Sequence, residues 1–168
     1  FSVLLATFPA SAQDSSIYVQ CPNDTVRHPD GDTDPATRTD GIKCKHVLAG
    51  DGIVTMADEQ NYPQYIFSFA DLTGVPEADA MQAGTLAAAF PAPVIAVDQG
   101  KEFYLTLTNV GMLIRPDLFD PHTVHFHGFP NASAAFDGLP DASISINMGA
   151  SLTYYYNLKE PGTFMYHC

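Results

Sequence analysis

Four of the six histidines in this 168-residue sequence, His122, His125, His127 and His167, fall in its last third, and the fourth is followed directly by Cys168. Imidazole nitrogen binds copper, zinc, iron and nickel, and thiolate sulfur narrows the choice to the softer of these metals. On an extended strand, side chains two residues apart share a face and those an odd number apart point to opposite faces. In PHTVHFHG, His125 and His127 therefore share one face while His122 takes the other. His167 and Cys168, neighbours on a second strand, divide in the same way. The simplest assembly puts His125, His127 and His167 in an all-imidazole site and His122 with Cys168 in a nitrogen-plus-thiolate site. A lone thiolate beside imidazole in a β-scaffold is the ligand set of an electron-transfer copper, whereas zinc more often uses paired cysteines. The single peptide unit between His167 and Cys168 would give electrons a covalent route between the two sites. A lone histidine is more often a strand cap or a hydrogen-bonded core residue. Four with this parity beside a cysteine are not explained that way.

Such a site needs strands to hold it, and the sequence supplies them. With 46% hydrophobic and 15% charged residues, the chain has the balance of a globular protein able to bury a core. Alternation is clearest in residues 102–109, where Phe103, Leu105 and Leu107 share one face and Tyr104, Thr106 and Thr108 the other. Similar short runs at 65–69, 94–97, 123–127, 143–147, 151–157 and 163–168 are bounded by Gly, Pro, Asn or Asp. Seven or more such strands predict an all-β Greek-key sandwich or barrel. Residues 77–89 are Ala-rich and predict a short helix, limited by Gly84 and the flanking prolines. Tyr154, Tyr155 and Tyr156 read as core and rim packing.

Seven Lys and Arg stand against nineteen Asp and Glu, a formal net charge of -12, which is the wrong sign for nucleic acid or anionic lipid. The first thirteen residues, FSVLLATFPASAQ, form an apolar run closing on small residues, too short to span a membrane, and read as the remainder of a secretory signal peptide. The mature domain is then expected over residues 14–168, in a secreted or periplasmic setting. There Cys21 and Cys44 can form a disulfide, a constraint that stabilises by roughly 3 kcal/mol. Residues 22–41 are almost free of apolar side chains and predict an exposed loop. Its Asp30, Asp32, Asp34 and Asp40 alternate as in a calcium loop, but Gly41 stands where an EF-hand needs Glu, so a solvated acidic face is expected. His28 and His46 have no ligand-like spacing and are expected at the surface.

The segment from His122 to Cys168 resembles the copper-binding strands of multicopper oxidases, whose pattern is HxxHxHG, then DGxP, then GTxxYHxH. Here these elements are residues 122–128, Asp137-Gly138-Leu139-Pro140, and residues 162–168; the upstream residues 91–109 are similar to the family's first-domain segment. The resemblance implies a cupredoxin fold and copper as cofactor. It also implies single-electron oxidation of a small-molecule or metal-ion donor at a type 1 copper, coupled to reduction of dioxygen to water at a trinuclear type 2/type 3 cluster. By position, His122 and Cys168 match type 1 ligands. His125, His127 and His167 match cluster ligands, with His125 at the type 2 position. First domains of three-domain laccases carry Ser where this chain has Cys168, so the cysteine implies a two-domain, trimer-forming type. The remaining type 1 His and Met and the second His of the HCH pattern would follow Cys168.

Copper nitrite reductases resemble the chain as well, with the same spacing from His122 to His127 and a His-Cys pair. Their strand carries Asp at the place of His125, because a nitrite site needs a carboxylate to manage protons while a trinuclear oxygen site needs another imidazole. His125 thus favours dioxygen. A non-enzymatic cupredoxin electron carrier would explain His122 and Cys168 but leave His125, His127 and His167 without a role.

Overall fold

The computed structural model describes residues 16–29, 41–57, 61–130 and 132–168. The first thirteen residues and Asp30, Asp32, Asp34 and Asp40 lie outside the described residues. The described residues form six strands: β1 (Ile42–Thr55), β2 (Pro63–Asp71), β3 (Glu102–Gly111), β4 (His125–Phe126), β5 (Ser151–Asn157) and β6 (Tyr166–His167). A four-stranded sheet runs β2-β1-β3-β5, and β4 pairs with β6 in a second, two-stranded sheet. β1 is antiparallel to β2 and parallel to β3, and β3 is antiparallel to β5.

The alternation in β3 sorts the two faces of the large sheet. Phe103, Leu105 and Leu107 point into a core shared with Val47 and Ala49 of β1 and Tyr154 and Tyr156 of β5, closed from above by Val124 and Ile146. Phe103, Leu105 and Leu107 each contribute about 1.5–3 kcal/mol by their burial. Tyr155, on the other parity, reaches the rim and donates its hydroxyl to Glu102 Oε1 at 2.6 Å. The opposite face is polar at its centre, with Thr106 and Thr108 fully buried, and is covered by Ile17 and Ala80. Residues 77–79 form a 3-10 turn leading into α1 (Ala80–Gly84). α1 stops at Gly84, where a Cβ would lie 2.6 Å from Val110 Cγ1, so this contact requires glycine.

A strap formed by residues 16–29 crosses that polar face. Tyr18 and Gln20 donate their backbone N–H groups to the hydroxyls of Ser151 and Thr153 of β5, and Val19 N–H donates to Glu77 Oε1. Cys21 and Cys44 are joined by a disulfide, which ties the strap to β1. The Thr25 hydroxyl and His28 Nδ1 then reach the buried Glu102 carboxylate, His28 at 2.8 Å. Burial opposes ionisation of Glu102, but donation by Thr25, Tyr155 and His28 holds its pKa below the usual carboxylate range.

Several expectations need correction. β1 was not among the expected strands, yet it is the inner strand between β2 and β3. Residues 94–97 join no strand, and residues 143–147 contribute only an isolated bridge between Ile146 and His122. The 123–127 and 163–168 runs shorten to two paired residues each. His46 is not a surface histidine. It is 3% exposed, with Nε2 placed 2.7 Å from Thr108 Oγ1, and His28 is half-buried against Glu102.

Burial lowers the pKa of His46 below 6.5, with Glu77 and Asp71 opposing the effect only partly, and it lowers that of His122 in the same way. In the unfolded chain both titrate near the ordinary value, so below about pH 6.5 the unfolded state takes up protons first and stability falls. Each tenfold loss of proton affinity corresponds to about 1.4 kcal/mol. The protein without added metal should therefore melt at lower temperature as pH drops from 7 towards 5, and His46→Gln should flatten that slope. An unchanged slope in thermal melts of the variant would refute the assignment to His46.

Candidate metal centre

The two-residue ladder between β4 and β6 sets His125 directly opposite His167. His127 continues the pairing, its backbone N–H donating to Met165 O at 2.8 Å. All three imidazoles come together: their ring centroids are 5.2 Å (125 to 127), 5.4 Å (125 to 167) and 4.8 Å (127 to 167) apart. One nitrogen from each lies within 4.8 Å of the others, the only such group of His, Cys, Asp and Glu among the described residues.

The outer nitrogens are held by the backbone. His125 Nδ1–H donates to Asp137 O at 2.5 Å, with the Asp137 carboxylate 3.3 Å away, and His167 Nδ1–H donates to Cys168 O at 2.6 Å. With Nδ1 protonated, the lone pair of each ring is carried by Nε2, the usual arrangement around metal-binding histidines. His127 Nε2 lies 2.7 Å from His167 Nε2. The turn carrying Asp137 presses close to this strand. Gly138 adopts φ +74°, and a Cβ there would sit 2.8 Å from Val124 O, so Asp-Gly is needed both for the left-handed turn and for the approach.

His122 and Cys168 form the second group. A reciprocal backbone bridge to Ile146, 2.9 Å in both directions, anchors His122. Its Nδ1 lies 3.4 Å from Cys168 Sγ, and the Thr123 hydroxyl is 4.0 Å from the same sulfur while bonding Gly138 O at 3.2 Å. His122 is 7% exposed, and burial keeps its ring neutral, the form that offers a lone pair. Its Nε2 is buried without a hydrogen-bond partner among the described residues. Cys168 is exposed and unpaired. The donor set fits copper: three imidazoles converge in one group, and one imidazole faces one thiol in the other.

The sequence placed Asp137 in a motif without giving it a task, and its carbonyl is what orients His125. Nothing in its residue type signals a backbone role; only its position in the turn against residues 124 and 125 does.

Residues 73–168, more than half of the chain, match the family described as multicopper oxidase. The chain belongs to the multicopper oxidase family. Over 77 residues it is 32% identical to multicopper oxidase MmcO of Mycobacterium tuberculosis (strain ATCC 25618 / H37Rv), covering 46% of this chain and 14% of that protein. Among solved structures, a multicopper oxidase superposes with a TM-score of 0.54 at 24% identity over 92% of this chain and 41% of its own. Lac15 from a marine microbial metagenome superposes with a TM-score of 0.51 at 20% identity, over 73% and 26% respectively. The fold is the all-β cupredoxin-like one of the multicopper oxidases. The chain spans well under half the length of these relatives. Copper is the metal of the family.

Proposed function

We propose that this chain is the cupredoxin domain, residues 14–168, of an exported multicopper oxidase that takes single electrons from a small-molecule or metal-ion donor and delivers them to dioxygen. His122 and Cys168 would hold a type 1 copper, and His125, His127 and His167 would contribute to a trinuclear type 2/type 3 cluster. Copper supplies one-electron redox chemistry at the first site and binding and reduction of dioxygen at the second. The observation that carries this reading is the segregation of donors. One thiol and one buried imidazole meet on one side, three imidazoles meet on the other, and the adjacent residues His167 and Cys168 belong to different groups.

The chain's own residues have separable tasks. His122, buried and neutral, presents Nδ1 toward the Cys168 sulfur. Asp137 O fixes the His125 ring so that Nε2 faces the other two imidazoles, and Cys168 O does the same for His167. The peptide between His167 and Cys168 connects the groups covalently. His125 supports dioxygen rather than nitrite as oxidant, since an imidazole there offers a ligand and not a proton-managing carboxylate. An electron carrier without enzymatic activity would leave the three-imidazole group without a purpose. The Cys21–Cys44 disulfide suits an oxidising compartment, secreted or periplasmic. Assembly as a homotrimer completes the proposal. Its test is whether the copper-loaded full-length protein couples donor oxidation to dioxygen consumption rather than to nitrite reduction.

A further inference from the structure

β3 carries an asparagine near its end, on its core-facing side. Asn109 has the parity of Phe103, Leu105 and Leu107, and it is completely buried. An amide in an apolar core is costly unless its hydrogen-bonding groups are paired. Here they are. Nδ2 donates to Asp120 O at 3.0 Å and to Ile146 O at 2.9 Å, and Oδ1 accepts Gly111 N–H at 2.9 Å. The reverse orientation of the amide would set its oxygen against two carbonyls, so the assignment is fixed by the partners. The backbone of Asn109 is occupied as well, donating to Ala150 O at 3.1 Å and accepting from Gly149 N–H at 2.8 Å.

These partners surround one residue. Asp120 lies two positions before His122, and Ile146 forms the reciprocal backbone bridge with His122. One carboxamide thus ties the chain entering His122 to the chain lying beside it, and fastens both to the rigid end of β3. The three-imidazole group has no comparable link to Asn109; it is positioned by Asp137, Met165 and the β4–β6 ladder.

We propose that Asn109 is a positioning residue for the His122–Cys168 site: its amide sets the place of the His122 ring relative to the Cys168 sulfur. This role rests on the proposed reading of that pair as a copper site. Asn109→Asp keeps the shape and the bond from Gly111, but it turns both donations into contacts between oxygens. Asn109→Ser removes both donations, leaving Ile146 O with the His122 N–H alone.

The test uses full-length, copper-loaded protein, with thermal melts to establish folding and with visible and electron paramagnetic resonance spectra as readouts. Both variants are expected to lose or shift the blue thiolate-to-copper band and to hold copper at that site about tenfold more weakly, as changes around metal ligands commonly do. The type 2 resonance should be retained. A folded variant with the wild-type band in position and intensity would overturn the role of Asn109. If neither variant folds, NMR of the reduced, copper-loaded wild type is compared with that of Cys168→Ser. The Asn109 side-chain amide signals should differ between the two, and identical signals would overturn the proposal. A wild-type protein with no blue band would instead remove the copper reading of His122 and Cys168, and this role with it. The two failures are therefore distinguishable.

Discussion

Replacing His125 with alanine is expected to abolish oxygen consumption by the full-length protein while leaving its blue colour intact. The imidazole removed is one of three whose nitrogens converge within 4.8 Å, and it is the one oriented by a 2.5 Å bond to Asp137 O. His122 and Cys168 flank the two-residue strands β4 and β6, and neither has a side-chain hydrogen bond to His125 among the described residues. The electron donor should therefore still bleach the blue band, and on admission of air the colour should fail to return. Oxygen-electrode traces and visible spectra of the variant check both halves. Residual oxygen uptake near the wild-type rate would mean that the three-imidazole group is not where dioxygen reacts.

Replacing Cys168 with serine should have the opposite effect on the spectrum. Thiolate bound to cupric copper gives an intense charge-transfer absorption, and the Ser hydroxyl is a poor donor to the softer metals. The blue band should vanish, the type 2 resonance should persist, and turnover with external donors should fall to background because the entry point for electrons is gone. Cys168 is the only cysteine outside the disulfide, so no other thiol in this chain can substitute for it. A band unchanged in the variant would place the type 1 site elsewhere in the protein and remove the two-domain reading.

How the sequence disclosed these groups depends on which physical rule governed each. The parity of His122, His125 and His127 needs only extended backbone. The division into two groups was therefore legible even though β4 proved to be two residues long rather than five. β3 and β5 were legible because one face meets the tyrosine-rich core and the other meets polar cover, which writes alternation into the sequence. β1 was not. As an inner strand buried at every residue from His46 to Gly52 it shows no alternation, and it mixes Val47, Leu48 and Ala49 with His46, Asp51 and two glycines that stand where Val110 and Ala88 leave no room for side chains. His46 was misjudged for a related reason: its partner, Thr108, lies on a neighbouring strand 62 residues away, a contact that only the parallel pairing of β1 and β3 creates. Asn109 was legible only as the last residue of the 102–109 strand and Asp137 only as part of a motif; the amide of the first donates to two carbonyls and the second offers its own, contacts that sequence does not reveal.

On the proposed reading, the three-imidazole group serves dioxygen. Parallel oxygen-electrode and nitric-oxide assays on the native, full-length, copper-loaded protein, with one electron donor and both oxidants offered, test it most directly. Oxygen consumption matched to donor oxidation, with water as product and little nitric oxide, is the predicted result. Dominant nitrite turnover with little oxygen uptake would contradict it and would mean that His125 does not mark an oxygen-reducing site.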